Sequence, residues 1–136
     1  MGRIEKKIRR IENLLAILED LKPDCKEKFL TDSLYQGALL HYLYVTADSC
    51  ISLAEMIIKD ARLEQPESYH EAIDILGEHR ILPPDFAYDF ASIASFRNFL
   101  AHDYERVDYL VICEQVLNRL DDIRTYLNFV KNYLAR

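Results

Sequence analysis

The chain has 136 residues, half of them hydrophobic and 29% charged, with a net charge of −6. That balance describes one globular domain spanning residues 1–136 with a single core. It argues against a large non-specific nucleic-acid footprint, which needs a basic protein, but leaves room for a small local site.

Three Gly and four Pro leave few tight turns, while nine Tyr and six Phe supply core surface, so an all-α chain is expected. The start, MGRIEKKIRRIENLL, has no apolar h-region and does not read as a signal peptide. A first helix is predicted from about Arg3 to Leu21. Ile4, Ile8, Ile11, Leu15 and Leu18 form its one-sided apolar stripe. Arg3, Lys6, Lys7 and Arg10 share another face, either as a solvated surface or as a phosphate-contacting stripe. Pro23 ends this helix, and Asp24 is the expected cap of the next.

A second, long helix is predicted from about Lys26 to Ala61. Its segment Ala38–Ile58 is apolar over most of its circumference, with His41, Asp48, Ser52, Glu55 and Lys59 as a narrow polar line. Those charges argue against a membrane span, and the apolar surface calls for several neighbours or another chain. Ser68-x-x-Glu71 has capping-box spacing and opens a short third helix to about His79. Pro83-Pro84-Asp85 starts a fourth, running to about Ala101. Asp108 caps a fifth that reaches about Leu134. Its apolar residues from Tyr109 through Cys113, Val116, Leu120, Ile123, Leu127 and Val130 to Leu134 alternate at +4 and +3, a sustained 3.5 period. The expected architecture is an up-and-down bundle of four main helices with one short helix inserted.

Cys25, Cys50 and Cys113 are odd in number and far apart, with no C-x-x-C pattern. No disulfide framework or metal site is expected, and a reducing cytoplasm is the natural compartment. Glu67-x-x-His70 has the spacing of half a di-iron ligand pair, but no second Glu-x-x-His exists to complete it. No cofactor motif is present: there is no Gly-rich phosphate loop and no G-x-S-x-G. His41 and His79 read as surface or interface residues, and Tyr35, Tyr42, Tyr44, Tyr126 and Tyr133 as packing residues.

The segment Phe96–Asp108, FRNFLAHDYERVD, departs from this ordinary pattern. Arg97 falls in the apolar stripe of the fourth helix with Phe86, Phe90, Ile93 and Leu100. A buried guanidinium needs a carboxylate, carbonyls or a ligand. Asp48 is the obvious partner within the chain, and snorkelling to the surface is the alternative. His102 follows by five residues, a turn of about 140° on a regular helix. The two side chains converge only if the helix ends near Ala101 or if two copies face each other across a two-fold axis. Alone, a histidine at a helix C-terminus is a dipole partner. Together, the residue types suit metal-free RNA cleavage. Arginine binds phosphate and stabilises transition-state charge, histidine as a residue type moves protons near neutrality, and tyrosine orients RNA.

Arg97-Asn-Phe-Leu-Ala-His102-Asp-Tyr104 resembles the R-x4-H-x-Y motif of HepT-type HEPN toxins. The similarity extends to the long helix with Asp48, ILGEHRILPPDFA (Ile75–Ala87), SFRN (Ser95–Asn98) and the Val107-Asp108 start of the last helix, and so covers nearly the whole chain. The resemblance implies a HEPN-like helical homodimer with metal-independent endoribonuclease activity, its two R-x4-H motifs lining one interface cleft. It implies catalytic Arg97 and His102, with Asn98, Asp48 and Tyr104 binding or supporting substrate. It also implies an MntA-like nucleotidyltransferase antitoxin that silences the toxin by attaching AMP to Tyr104. The alternative is a non-catalytic helical partner or substrate-binding subunit of that nucleotidyltransferase.

Overall fold

The computed structural model describes residues 2–136, and at Tyr104 the backbone alone. No strand occurs among the described residues, and the chain forms the expected helical bundle. Helix α1 (Arg3–Leu21) buries Ile8, Ile11, Leu14, Leu15 and Leu18. A 3₁₀ turn (Lys22–Asp24) carrying Pro23 leads into the one-turn helix α2 (Cys25–Lys28). Helix α3 (Ser33–Asp60) returns antiparallel to α1: the Tyr35 hydroxyl donates to the Leu21 carbonyl at one end, and Arg3 lies near Met56 at the other. No helix of the described residues is long and apolar enough to cross a membrane.

The single long helix predicted from Lys26 to Ala61 is thus divided. Thr31 Oγ1 donates to the Glu27 carbonyl, and the Asp32 carboxylate accepts N–H bonds from Leu34 and Tyr35 at 3.0 and 3.1 Å. These local bonds compete with helix continuation. Asp32 is therefore the cap of the long helix, and Asp24 makes no side-chain cap bond. Beyond this break, α3 is buried around much of its circumference by α1, α4 and α6. The last helix covers it too, through a Tyr126 hydroxyl that donates to the Cys50 carbonyl at 2.8 Å.

Helix α4 (Tyr69–Glu78) opens on Ser68, whose Oγ accepts the Glu71 N–H at 3.0 Å. The Glu71 carboxylate reaches back to the Glu67 N–H rather than to that of Ser68. Gly77 sits where α4 meets α5 (Pro84–Phe90): a Cβ there would lie 2.6 Å from the Ala87 Cβ. Gly77→Ala is therefore expected to destabilise the fold by about 1–3 kcal/mol, against the helix propensity of alanine. A thermal melt showing an unchanged or higher midpoint would contradict that close packing.

The predicted fourth helix is also broken. The Ser92 hydroxyl donates to the Asp89 carbonyl at 3.0 Å, and the backbone turns at Ala91–Ser92 before α6 (Ile93–His102) begins. A 3₁₀ turn (Tyr104–Arg106) follows. Asp108 then caps the final helical run by accepting the Leu110 N–H at 2.9 Å. That run contains a π-helical stretch (Val111–Val116), a 3₁₀ turn (Leu117–Arg119) and α7 (Leu120–Leu134). The π turn changes the register, so the predicted heptad stripe is not continuous. Ile112, Leu117 and Tyr126 are buried beside Cys113, Leu120, Leu127 and Val130, while Val116 and Ile123 are only half-buried.

The cysteine expectation is corrected as well. Cys25 and Cys113 are joined by a disulfide, their Cα atoms 5.6 Å apart across 88 residues of sequence, and Cys50 is free and buried. The folding of α2 against the start of the final run brings together residues whose separation gives no sign of contact. A reducing compartment cannot be argued from unpaired cysteines in this chain.

Candidate functional site

Arg97 projects from α6 into the angle between α3 and α4. Its Nε donates to Asp48 Oδ1 at 3.0 Å, its Nη2 to the Tyr44 hydroxyl at 3.0 Å and its Nη1 to Asn98 Oδ1 at 3.2 Å. The guanidinium carbon stands 4.7 Å from the Tyr69 ring centroid and 5.2 Å from that of Tyr44. Tyr44 and Asp48 are one turn apart on α3, so both face α6. Tyr69, the first residue of α4, contributes a ring face to the cation.

The Arg97 side chain is 15% exposed, against 46% for Asp48. Burial works against the guanidinium charge, but the Asp48 hydrogen bond and the nearby Tyr44, Tyr69 and Asp48 raise its pKa above the ordinary arginine value. The group is a fixed cation. Three of its five N–H groups are engaged, and among the described residues the other two have no partner. The result is a preorganised, partly accessible cation.

Glu55, two turns beyond Asp48 on α3, belongs to the same field. Burial and then repulsion by Asp48 raise its pKa, with Arg97 opposing the effect. An acid whose folded pKa is raised loses stability as pH rises through that value, having kept it below the unfolded one. Glu55→Gln is therefore expected to raise the melting temperature at pH 7, with the difference shrinking as pH falls toward 4. A melting series showing the opposite trend would place Glu55 outside the field of Asp48.

His102 is exposed and is the last residue of α6. The helix continues through it: the Asp103 N–H, one residue on, still donates to the Phe99 carbonyl at 2.8 Å. Regular geometry therefore holds the Arg97 and His102 side chains about 140° apart around the axis. α6 therefore ends one residue beyond Ala101, with regular hydrogen bonding through its last turn. Tyr104 begins the 3₁₀ turn two residues beyond His102, and its side chain lies outside the described residues.

The structure thus gathers Arg97, Asp48 and Asn98, and sets His102 on a separate face. Tyr44 and Tyr69 complete the arginine cradle and were not anticipated. Tyr44 precedes Asp48 by four residues, and its alignment with the polar line of α3 could have revealed it. Nothing in the sequence around Tyr69 signals its role. His70 Nδ1 lies 2.8 Å from Asp74 Oδ2, a local pair on α4, and His79 Nε2 lies 3.0 Å from Glu64 Oε1 at the surface.

Comparison with known proteins agrees with this architecture. The family model described as Ribonuclease HepT-like matches residues 4–130. The mRNA nuclease HepT of Shewanella oneidensis is 20% identical over 125 residues, covering 92% of this chain and 93% of that protein. The tRNA nuclease HepT of Aphanizomenon flos-aquae is 22% identical over 134 residues, covering 98% of this chain and 84% of that protein. Among solved structures, the tri-AMPylated Shewanella oneidensis HEPN toxin in complex with MNT antitoxin superposes with a TM-score of 0.85 at 22% identity, over 97% of this chain and 99% of that one. YutE of Bacillus subtilis, a cytosolic protein of unknown function, superposes with a TM-score of 0.81 at 16% identity, over 97% and 88% of the two chains. With nearly its whole length matched by the family model, the chain belongs to the HepT-like ribonuclease family.

Proposed function

We propose that this protein is the RNA-cleaving toxin of a toxin–antitoxin pair, acting without metal as a symmetric homodimer in the cytoplasm. The observation that carries the reading is the Arg97 cradle. A guanidinium locked by Asp48, Tyr44 and Tyr69 keeps two N–H groups without a partner among the described residues, on a helix that ends at an exposed His102. With Arg97 and His102 about 140° apart around α6, a two-fold axis offers a way to bring both to one phosphate.

In such a cleft, one His102 takes the proton of a ribose 2′-hydroxyl as its oxygen attacks the adjacent phosphorus. The P–O5′ bond breaks, and the departing oxygen takes a proton from water. Arg97 stabilises the extra negative charge on the phosphorane oxygens. The products are a 2′,3′-cyclic phosphate and a 5′-hydroxyl end. Asn98 helps orient Arg97. Leu110 and Val111, exposed just beyond the motif, offer apolar surface for pairing.

Silencing follows from the position of Tyr104. An MntA-like nucleotidyltransferase would use ATP: the Tyr104 oxygen attacks the α-phosphorus and pyrophosphate leaves. The attached AMP adds bulk and negative charge two residues from His102, repelling RNA phosphate. The intact mass of protein made with and without the nucleotidyltransferase tests this. One or more added adenylates, absent in Tyr104→Phe, are expected, and an unmodified mass in both cases counts against it.

The net charge of −6 and the engagement of Arg97 by Asp48 favour a second reading, a non-catalytic partner subunit of the nucleotidyltransferase. It predicts co-purification with that enzyme and no toxicity alone. Growth arrest by the lone gene, cured by Arg97→Ala, would exclude it.

A further inference from the structure

We infer that the basic face of α1 is a phosphate-binding track that leads single-stranded RNA to the Arg97 site, an inference resting on the ribonuclease reading above. Arg3, Lys6, Lys7 and Arg10 form one wall of a surface groove of about 360 Å³, and Ser52 and Met56 of α3 form the other. Five cations stand between Arg3 and Arg10 against one carboxylate, Glu5, in a chain whose net charge is −6. Positive charge is concentrated where the rest of the surface is acidic.

The cations of this face are not consumed by the fold. Among the described residues none of Arg3, Lys6, Lys7 and Arg10 takes part in an ion pair, whereas Lys26, Lys28, Arg97, Arg119, Arg124 and Lys131 all do. The later carboxylates of α1 are turned to other uses: Glu12 holds Lys131 at 2.7 Å and Glu19 holds Arg124 at 3.2 Å, both tying α1 to α7. The groove is left with cations, the Ser52 hydroxyl and the apolar Met56 side chain. Those are donors for phosphate oxygens beside a surface for a base or sugar.

Position identifies the ligand. Ser52 lies one turn from Asp48 on the same face of α3, and Glu55, on the next turn, already feels Asp48 and Arg97. Because α1 and α3 run antiparallel, Arg10 is the end of the stripe nearest Asp48. The track from Arg3 to Arg10 spans about 10 Å along the helix, room for a short run of phosphates. A strand lying there has its next phosphate directed toward the arginine cradle. This continuity favours RNA over an acidic face of a partner protein.

The test uses the full-length protein with His102→Ala, so that bound RNA survives, and fluorescence anisotropy with a labelled oligouridylate across a salt series. Adding Lys6→Gln, Lys7→Gln and Arg10→Gln together is expected to weaken binding roughly ten- to hundredfold at low salt. It should also lower the slope of log affinity against log salt by about 2, near 0.7 for each lost contact. Arg9→Gln, on the same helix but outside the groove, should change both far less. An unchanged slope in the triple variant, or an equal loss from Arg9→Gln and Arg10→Gln, overturns the track. So does intact RNA binding combined with lost co-purification of the nucleotidyltransferase, which would make the groove a protein-docking surface. Cleavage by protein retaining His102 reads the ribonuclease proposal separately. Groove-dependent binding without cleavage removes that proposal and keeps the track; cleavage with an unchanged KM in the triple variant does the reverse.

Discussion

His102→Ala is expected to abolish RNA cleavage, by at least about 10²–10⁴-fold, while the protein stays folded. The side chain is exposed at the last position of α6, so the substitution leaves no cavity in the core. The stability at risk is its interaction with the helix C-terminus, about 0.3–1 kcal/mol. Activity and stability should therefore separate cleanly, with an unchanged circular dichroism spectrum and a nearly unchanged melting temperature. The assay is run in EDTA, where the wild type is expected to cleave RNA without metal. Equal cleavage by wild type and variant would assign the activity to a contaminating nuclease.

Arg97→Ala carries the second large effect, a loss of about 10²–10³-fold, the scale of removing one preorganised group that meets transition-state charge. Arg97→Lys should rescue little, because an ammonium cannot reproduce the planar fork that reaches Asp48, Tyr44 and a phosphate at once. Asp48→Ala leaves the guanidinium charged but less firmly oriented. Asp48 is nearly half exposed, so its ion pair adds only modestly to stability. A fall in kcat of about tenfold with little change in KM is the expected signature of a positioning residue. If Arg97 merely packs against Asp48, replacing both with apolar residues of similar size would be tolerated without loss of cleavage. Cleavage lost in a folded double variant would exclude that purely structural role.

The bundle was readable from periodicity because α1, α3 and α7 present apolar faces at helical spacing over many turns. Its interruptions were harder to read. Thr31-Asp32-Ser33 are all cap-type residues, yet the hydrophobic pattern on both sides concealed them. The Ser92 break depends on one hydroxyl choosing a carbonyl. The π turn at Val111–Val116 has no compositional mark, and it exchanges Val116 for Leu117 in the core. At the site, the apolar stripe through Arg97 correctly pointed to a carboxylate partner, and Asp48 provides it. The aromatic faces of Tyr44 and Tyr69, and the Cys25–Cys113 bridge, come from contacts between separate elements that local spacing does not encode.

Mixing two inactive variants tests the shared cleft most directly. Arg97→Ala and His102→Ala protomers, co-expressed with different tags and purified as mixed dimers, retain one intact Arg97 and one intact His102 on different chains. If those groups act across the two-fold axis, the purified mixed dimers should recover about half of wild-type cleavage, since each keeps one of the two Arg97–His102 pairs of a wild-type dimer. Mixed dimers as inactive as either parent would show that each chain needs its own pair, contradicting a site shared between protomers.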